Sequence, residues 1–212
     1  AAQRENPALQ DQIWNEALVS ASNSLPDLTL LYRLASIWTW EDQAEAPLWV
    51  IAENFPSRTW AHQTLYNVYR LRRDTENMQA LIGTLRLSDA TLPRYQYDWA
   101  LLSMLLSERT IWTEEKQTMQ TLYESDPDNA YYITGYAFAL AQSDREDEAV
   151  EIADRINELE RNLPERAPYL AFVYAAAMKP GAVDTFVANA EGFENLLPEE
   201  TQLLQDARNM VR

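Results

Sequence analysis

Few residues in this chain are equipped for chemistry. One histidine, His62, stands among 212 residues, and there is no cysteine. A lone imidazole excludes the H-E-x-x-H zinc helix and every two-histidine metal site. The lack of thiols excludes a cysteine nucleophile, a cysteine zinc site and disulfides, which is compatible with either cytoplasm or periplasm. A Ser-His-Asp triad would have to recruit His62, and no G-x-S-x-G elbow exists to present its serine. We therefore expect no catalytic residue, no metal ligand and no cofactor.

Carboxylates are plentiful, but their spacing points to helix starts. The turn "SDPDN" (Ser125–Asn129) offers calcium-type oxygens, yet an EF-hand loop needs a third oxygen ligand and then glycine, where this chain has Ala130 and Tyr131. It reads as a turn and helix cap. Glu114/Glu115, Glu146/Asp147/Glu148 and Glu199/Glu200 fall where helices begin, and there they complement the helix dipole. Glycosidase-type acid-base work needs two carboxylates in a walled cleft, and the sequence points to none, so an enzyme is not expected. The basic counterpart is local: Arg58, Arg70, Arg72 and Arg73 suit carboxylate recognition, or form a solvated helix end balanced by Asp74 and Glu76.

Composition fixes what must position these groups. Only 4 glycines occur, 47% of residues are hydrophobic and 24% charged, the profile of a chain that is helical nearly throughout and long enough to bury a core. A net charge of -16 repels a phosphate backbone or an anionic lipid surface, so nucleic acid is not expected as a partner. No apolar run approaches the ~18 residues of a spanning helix, and direct membrane insertion by this chain is not expected. "AAQRENPALQ" has neither the basic start nor the apolar middle of a signal peptide.

An internal period organises the rest. Residues with the spacing of one helix face, three, four and seven on, recur at Leu28/Leu31/Tyr32/Ala35, His62/Leu65/Tyr66/Tyr69, Trp99/Leu102/Ser103/Leu106, Ile133/Tyr136/Ala137/Leu140 and Leu170/Val173/Tyr174/Ala177. Their first members are separated by 34, 37, 34 and 37 residues. Each is followed by a polar break and a second stripe: Ala44/Leu48/Ile51, Met78/Ile82/Leu85, Met119/Leu122, Ala149/Ala153/Ile156 and Phe186/Ala190/Phe193. In the breaks Asp, Ser and Thr are expected to cap the next helix, and Gly or Pro to end the previous one. Most second helices should stop near Pro56, Pro93, Pro127, Pro164 or Pro198, whereas Pro47 is expected early in its helix, where a missing amide is tolerated. His62 lies on a packing stripe and should be buried and structural. An irregular helical bundle with chance periodicity is the alternative.

"WALLSMLL" (Trp99–Leu106) and "DPDNAYYITGYAFAL…EDEAVEIA" resemble the tetratricopeptide repeat, with its W-x2-L-G-x2-Y…A pattern of about 34 residues. The resemblance covers roughly residues 25 to 195. It departs from the pattern where Tyr32, Tyr66 and Tyr174 replace a small residue and where Met78, Glu115 and Phe186 replace alanine. It implies an all-α fold, a right-handed α-solenoid of about five helix-turn-helix repeats over 25–197, with an N-terminal helix in 1–24 and a capping helix in 198–212. The chain also resembles, more loosely, bacterial tetratricopeptide proteins of unassigned function that often follow a membrane-anchoring segment. That implies a soluble cytoplasmic or periplasmic domain, with a lean to the periplasm and to a tether preceding it.

In such arrays the first helix of each pair lines the concave face. Carried onto this chain, the lining positions are Trp60, Gln63, Asn67 and Arg70, then Tyr97, Ala100, Met104 and Ser107, then Tyr131, Thr134, Phe138 and Ala141. The outer repeats add Thr29, Arg33, Ala171, Ala175 and Met178. The resemblance thus implies a non-catalytic scaffold that binds a protein or peptide in a groove of Trp60, Gln63, Asn67, Arg70, Tyr97, Met104, Tyr131, Thr134 and Phe138. A covering N-terminal helix would close that groove. The second reading is a structural or assembly subunit that self-associates or docks onto a larger, membrane-associated complex.

Overall fold

The scarcity of glycine and the abundance of unbranched side chains leave little alternative to helix, and the described residues of the computed structural model, 7–88, 92–106 and 113–212, are all-α. Ser107 and the break around residues 107–112 lie outside them. The helices are α1 (Pro7–Ala21), α2 (Leu25–Ile37), α3 (Glu41–Asn54), α4 (Thr59–Arg72), α5 (Thr75–Ser88), α6 (Pro93–Leu106), α7 (Thr113–Ser125), α8 (Ala130–Ala141), α9 (Glu146–Ala153), α10 (Glu158–Arg161), α11 (Ala167–Ala176), α12 (Pro180–Ala190) and α13 (Pro198–Met210). They group into two compact units, residues 1–68 with 87–89 and residues 69–86 with 90–212.

In the first unit α1, α2 and α3 pack on one another around Leu28, Ala35, Leu48, Ile51 and Ala52, each at most 1% exposed. Trp14 meets Trp40 edge to face at 6.1 Å, and Asn54 donates from Nδ2 to the Ser22 carbonyl at 3.1 Å. Ser24 caps α2 by accepting from the Asp27 amide. Pro47 departs from expectation: α3 begins at Glu41, so Pro47 stands beyond the first turn and does remove a helical hydrogen bond. His62 is buried, with no well-formed hydrogen bond at either ring nitrogen. Burial pulls its pKa below the usual histidine value, only partly opposed by the Ala52 backbone.

In the second unit α8 is apolar all round, and residues Ile133 to Ala141 are buried without interruption. A helix with no polar face must be covered on every side, and α7, α9 and α11 pack against it. Asn129 in the acidic turn caps it, accepting from the Tyr131 amide at 3.1 Å. Ile156, placed by the sequence on the second helix of this pair, lies beyond the end of α9 but is still buried. Gly135 is where α8 comes closest to its neighbours: a Cβ there would stand 2.6 Å from both Met119 Sδ and a ring carbon of Tyr97. Gly135→Ala is therefore expected to lower stability by about 1–2 kcal/mol, overcrowding outweighing the better helix propensity. Urea denaturation checks this; unchanged stability would mean that Met119 and the Tyr97 ring yield freely.

One turn recurs. After α2, α4, α8 and α11 the chain passes through a residue of positive φ, namely Thr39 (57°), Arg73 (57°), Asp144 (57°) and Met178 (54°). In each case the next amide reaches back to a carbonyl in the last helical turn: Trp40 to Ala35, Asp74 to Tyr69, Arg145 to Leu140 and Lys179 to Tyr174. This is the Schellman arrangement, which normally places glycine at the left-handed position. Here none of the four is glycine, and of the residues that open the following helices only Asp74 supplies a side-chain acceptor. The expected punctuation is thus kept by Asp74 before α5 and by Pro180 at the start of α12, and elsewhere in these four turns it is replaced by backbone bonding. Met178 is exposed, so Met178→Gly is expected to stabilise the chain by about 0.5 kcal/mol, relief of left-handed strain exceeding the added chain entropy. Thermal or urea melts would register the gain.

Candidate partner-binding surface

The nine residues named for the groove separate by burial. In the first unit Trp60, Gln63 and Asn67 form an exposed stripe on α4, while Ala61, His62 and Leu65 face inward. Trp60 is 37% exposed, and its ring leans on Tyr32 of α2 at 5.8 Å. An amphipathic division of this kind is what a helix with one free face requires.

In the second unit most named residues are inside. Tyr97, Met104, Thr134 and Phe138 are 6%, 2%, 1% and 0% exposed. Phe138 is enclosed by α11, meeting the edges of Tyr169 at 5.4 Å and Phe172 at 5.5 Å. Tyr97 meets Tyr131 and Tyr132 at 6.3 and 5.9 Å, and Thr134 turns its hydroxyl to the Ala130 carbonyl at 2.7 Å. These four side chains are packing groups between helices and offer no open surface. Ala100, Ala171 and Ala175 are also buried, whereas Tyr131 is 52% exposed, with the Arg166 guanidinium 4.5 Å from its ring centroid.

Arg70 is half-buried and already engaged. Its Nη2 donates to Glu200 Oε2 at 3.0 Å. The same carboxylate, 2% exposed, accepts from the Tyr169 hydroxyl and from the Leu197 amide, each at 2.7 Å. Beside it Thr75 Oγ1 donates to Glu199, and Arg73 Nη2 donates to Thr201 Oγ1 at 3.1 Å. Burial, with Glu200 adjacent, pushes the Tyr169 phenol well above its ordinary pKa, so it stays a proton donor. An open cavity of about 380 Å³ adjoins this cluster, lined by Arg72, Arg73, Asp74, Thr75, Glu76 and Glu199. The sequence signals Glu199 and Glu200 only as helix-start carboxylates; it carries no sign that Tyr169 and Arg70 converge on them across the fold.

Asp98 is not among the residues expected for the groove, although a lone carboxylate in "YQYDWALL" is itself a signal. Its side chain is 19% exposed and lies 3.6 Å from Arg94. Burial pushes its pKa up to about 6, against the opposing pull of Arg94 and Arg70. The folded chain then holds a proton that unfolded aspartate releases near 3.8, so stability falls as pH rises across that window and stays lower above it. Asp98→Asn is accordingly expected to raise stability at neutral pH by about 1–3 kcal/mol and to flatten the slope between the two values. Urea melts across the pH range decide; an unchanged slope would place the titration elsewhere.

Among the described residues no group of three or more His, Asp or Glu side chains could hold a metal ion, and no helix is long and apolar enough to cross a membrane. No protein-family model matches the chain, and no curated protein matches it.

Proposed function

We propose that this chain is a non-catalytic scaffold, built as a right-handed α-solenoid of about five tetratricopeptide-like repeats between terminal helices, that holds a protein or peptide partner. The exposed stripe Trp60, Gln63 and Asn67 on α4 carries this reading. A large amphipathic ring beside adaptable amides gives a partner contact area at low entropic cost. The left-handed turns at Thr39, Arg73 and Asp144 support the repeat reading, since each follows the first member of its stripe, Leu28, His62 or Ile133, by 11 residues, whereas Met178 follows Leu170 by 8. Affinity capture from the native cell with the wild-type chain and with folded Trp60→Ala tests the assignment: loss of the captured protein is expected, and undiminished capture sinks the stripe as the binding surface.

A self-associating assembly subunit is the second reading. It is favoured by Leu30 and Ile37 on α2, which are 55% and 74% exposed and, two turns apart, share one helix face. Sedimentation at micromolar concentration separates the two, because a strict monomer removes the homomeric version.

A further inference from the structure

The clamp on α13 has the chemistry of a receptor site already filled by the chain itself. Glu200 receives hydrogen bonds from Arg70 on α4 and from Tyr169 on α11, while Thr75 and Arg73 hold Glu199 and Thr201. A guanidinium fork and a phenol that keeps its proton are donors matched to a carboxylate. The residues bound are consecutive, Glu199, Glu200 and Thr201, in the first turn of a helix near the C-terminal end of the sequence. Glu200 is also separated from Arg70 by 130 positions.

We propose that the first turn of α13 occupies in cis a carboxylate-recognition site formed by Arg70, Arg73, Thr75 and Tyr169, and that a partner helix with paired carboxylates in its first turn replaces it there. The inference rests on the scaffold reading and adds to it the chemistry of the partner and the reason the site is closed in the free chain.

The energetics of buried ion pairs make such an exchange feasible. Removing one member of a buried pair strands the other, but separating the two intact returns both to water, so the desolvation cost and the Coulomb gain largely cancel. An incoming carboxylate restores the same hydrogen bonds, and the partner's remaining contacts then decide occupancy. The open cavity bordered by Arg72, Arg73, Thr75 and Glu199 gives the incoming group an approach beside the resident one. Leu204 and Ala207, buried in the later turns of α13, keep the helix attached while its first turn gives way.

The probe is a fluorescent peptide with the sequence of residues 196–212, titrated by anisotropy against the full chain. Wild type is expected to bind it weakly. The Glu199→Gln/Glu200→Gln chain, whose own carboxylates are neutralised, should bind at least about tenfold tighter, a gain worth one unit on the logarithmic affinity scale. Adding Arg70→Gln should abolish the gain, and a peptide with both glutamates changed to glutamine should not bind. Equal affinity for wild type and the double variant, or indifference to the peptide's glutamates, overturns the proposal.

Hydrogen exchange on the wild-type chain needs no variant to fold. Saturating peptide should speed exchange in residues 198–204, and no change there overturns the proposal equally. Peptide-blocked dimers would put a second copy's α13 in the site and overturn the assignment to a partner. The two readings fail separately: a cellular partner captured equally by wild type and Arg70→Gln spares the scaffold and removes this inference. Peptide exchange with no cellular partner does the reverse.

Discussion

Phe138→Ala is expected to cost about 3–5 kcal/mol of folding stability, although the resemblance to tetratricopeptide repeats implies a binding face for Phe138. The ring is fully buried and is met edge-on by both Tyr169 and Phe172. Truncation therefore leaves a cavity between α8 and α11, and the aromatic edges lose their partner. Urea denaturation of the second unit should show a lowered midpoint with an unchanged slope. A variant as stable as wild type would mean that Phe138 faces solvent after all. The practical consequence is that Phe138→Ala reports on folding, and any loss of partner binding it produced would be uninterpretable.

Glu200→Ala is the second large effect. Arg70, the Tyr169 hydroxyl and the Leu197 amide lose one shared acceptor together. Breaking a buried pair from one side costs several kcal/mol, and because Arg70 keeps 21% side-chain exposure the loss should lie near the lower end, about 3 kcal/mol. It should be concentrated in α13, whose amides would exchange roughly a hundredfold faster. Glu200→Gln keeps one acceptor oxygen and should cost less, about 1–2 kcal/mol. Equal protection of α13 in wild type and Glu200→Ala would show that its apolar contacts alone seat it.

These two residues show where the sequence is legible. Helix content follows from composition, and the stripes Leu28/Ala35 and Ile133/Tyr136/Ala137/Leu140 do turn inward. Acidic clusters sit at helix starts, as Glu114/Glu115 on α7, Glu146–Glu148 on α9 and Glu199/Glu200 on α13 illustrate. A periodic stripe identifies one buried face but is silent on whether the opposite face is covered too. For α4 that face is exposed and polar; for α8 it is not.

The distinguishing signal was present in "AYYITGYAFALA" and "APYLAFVYAA", which carry no charge and so demand cover all round. Nothing in local pattern, by contrast, brings Glu200 to Arg70. That contact depends on tertiary geometry across 130 positions, and helical periodicity carries no information about it.

On the proposed function, a protein partner rests on the exposed face of α4. The decisive measurement is hydrogen exchange of the full chain with and without the partner captured by it. Slowed exchange is expected in Thr59–Val68, centred on Trp60, Gln63 and Asn67. Bound partner with exchange unchanged over those residues would contradict it.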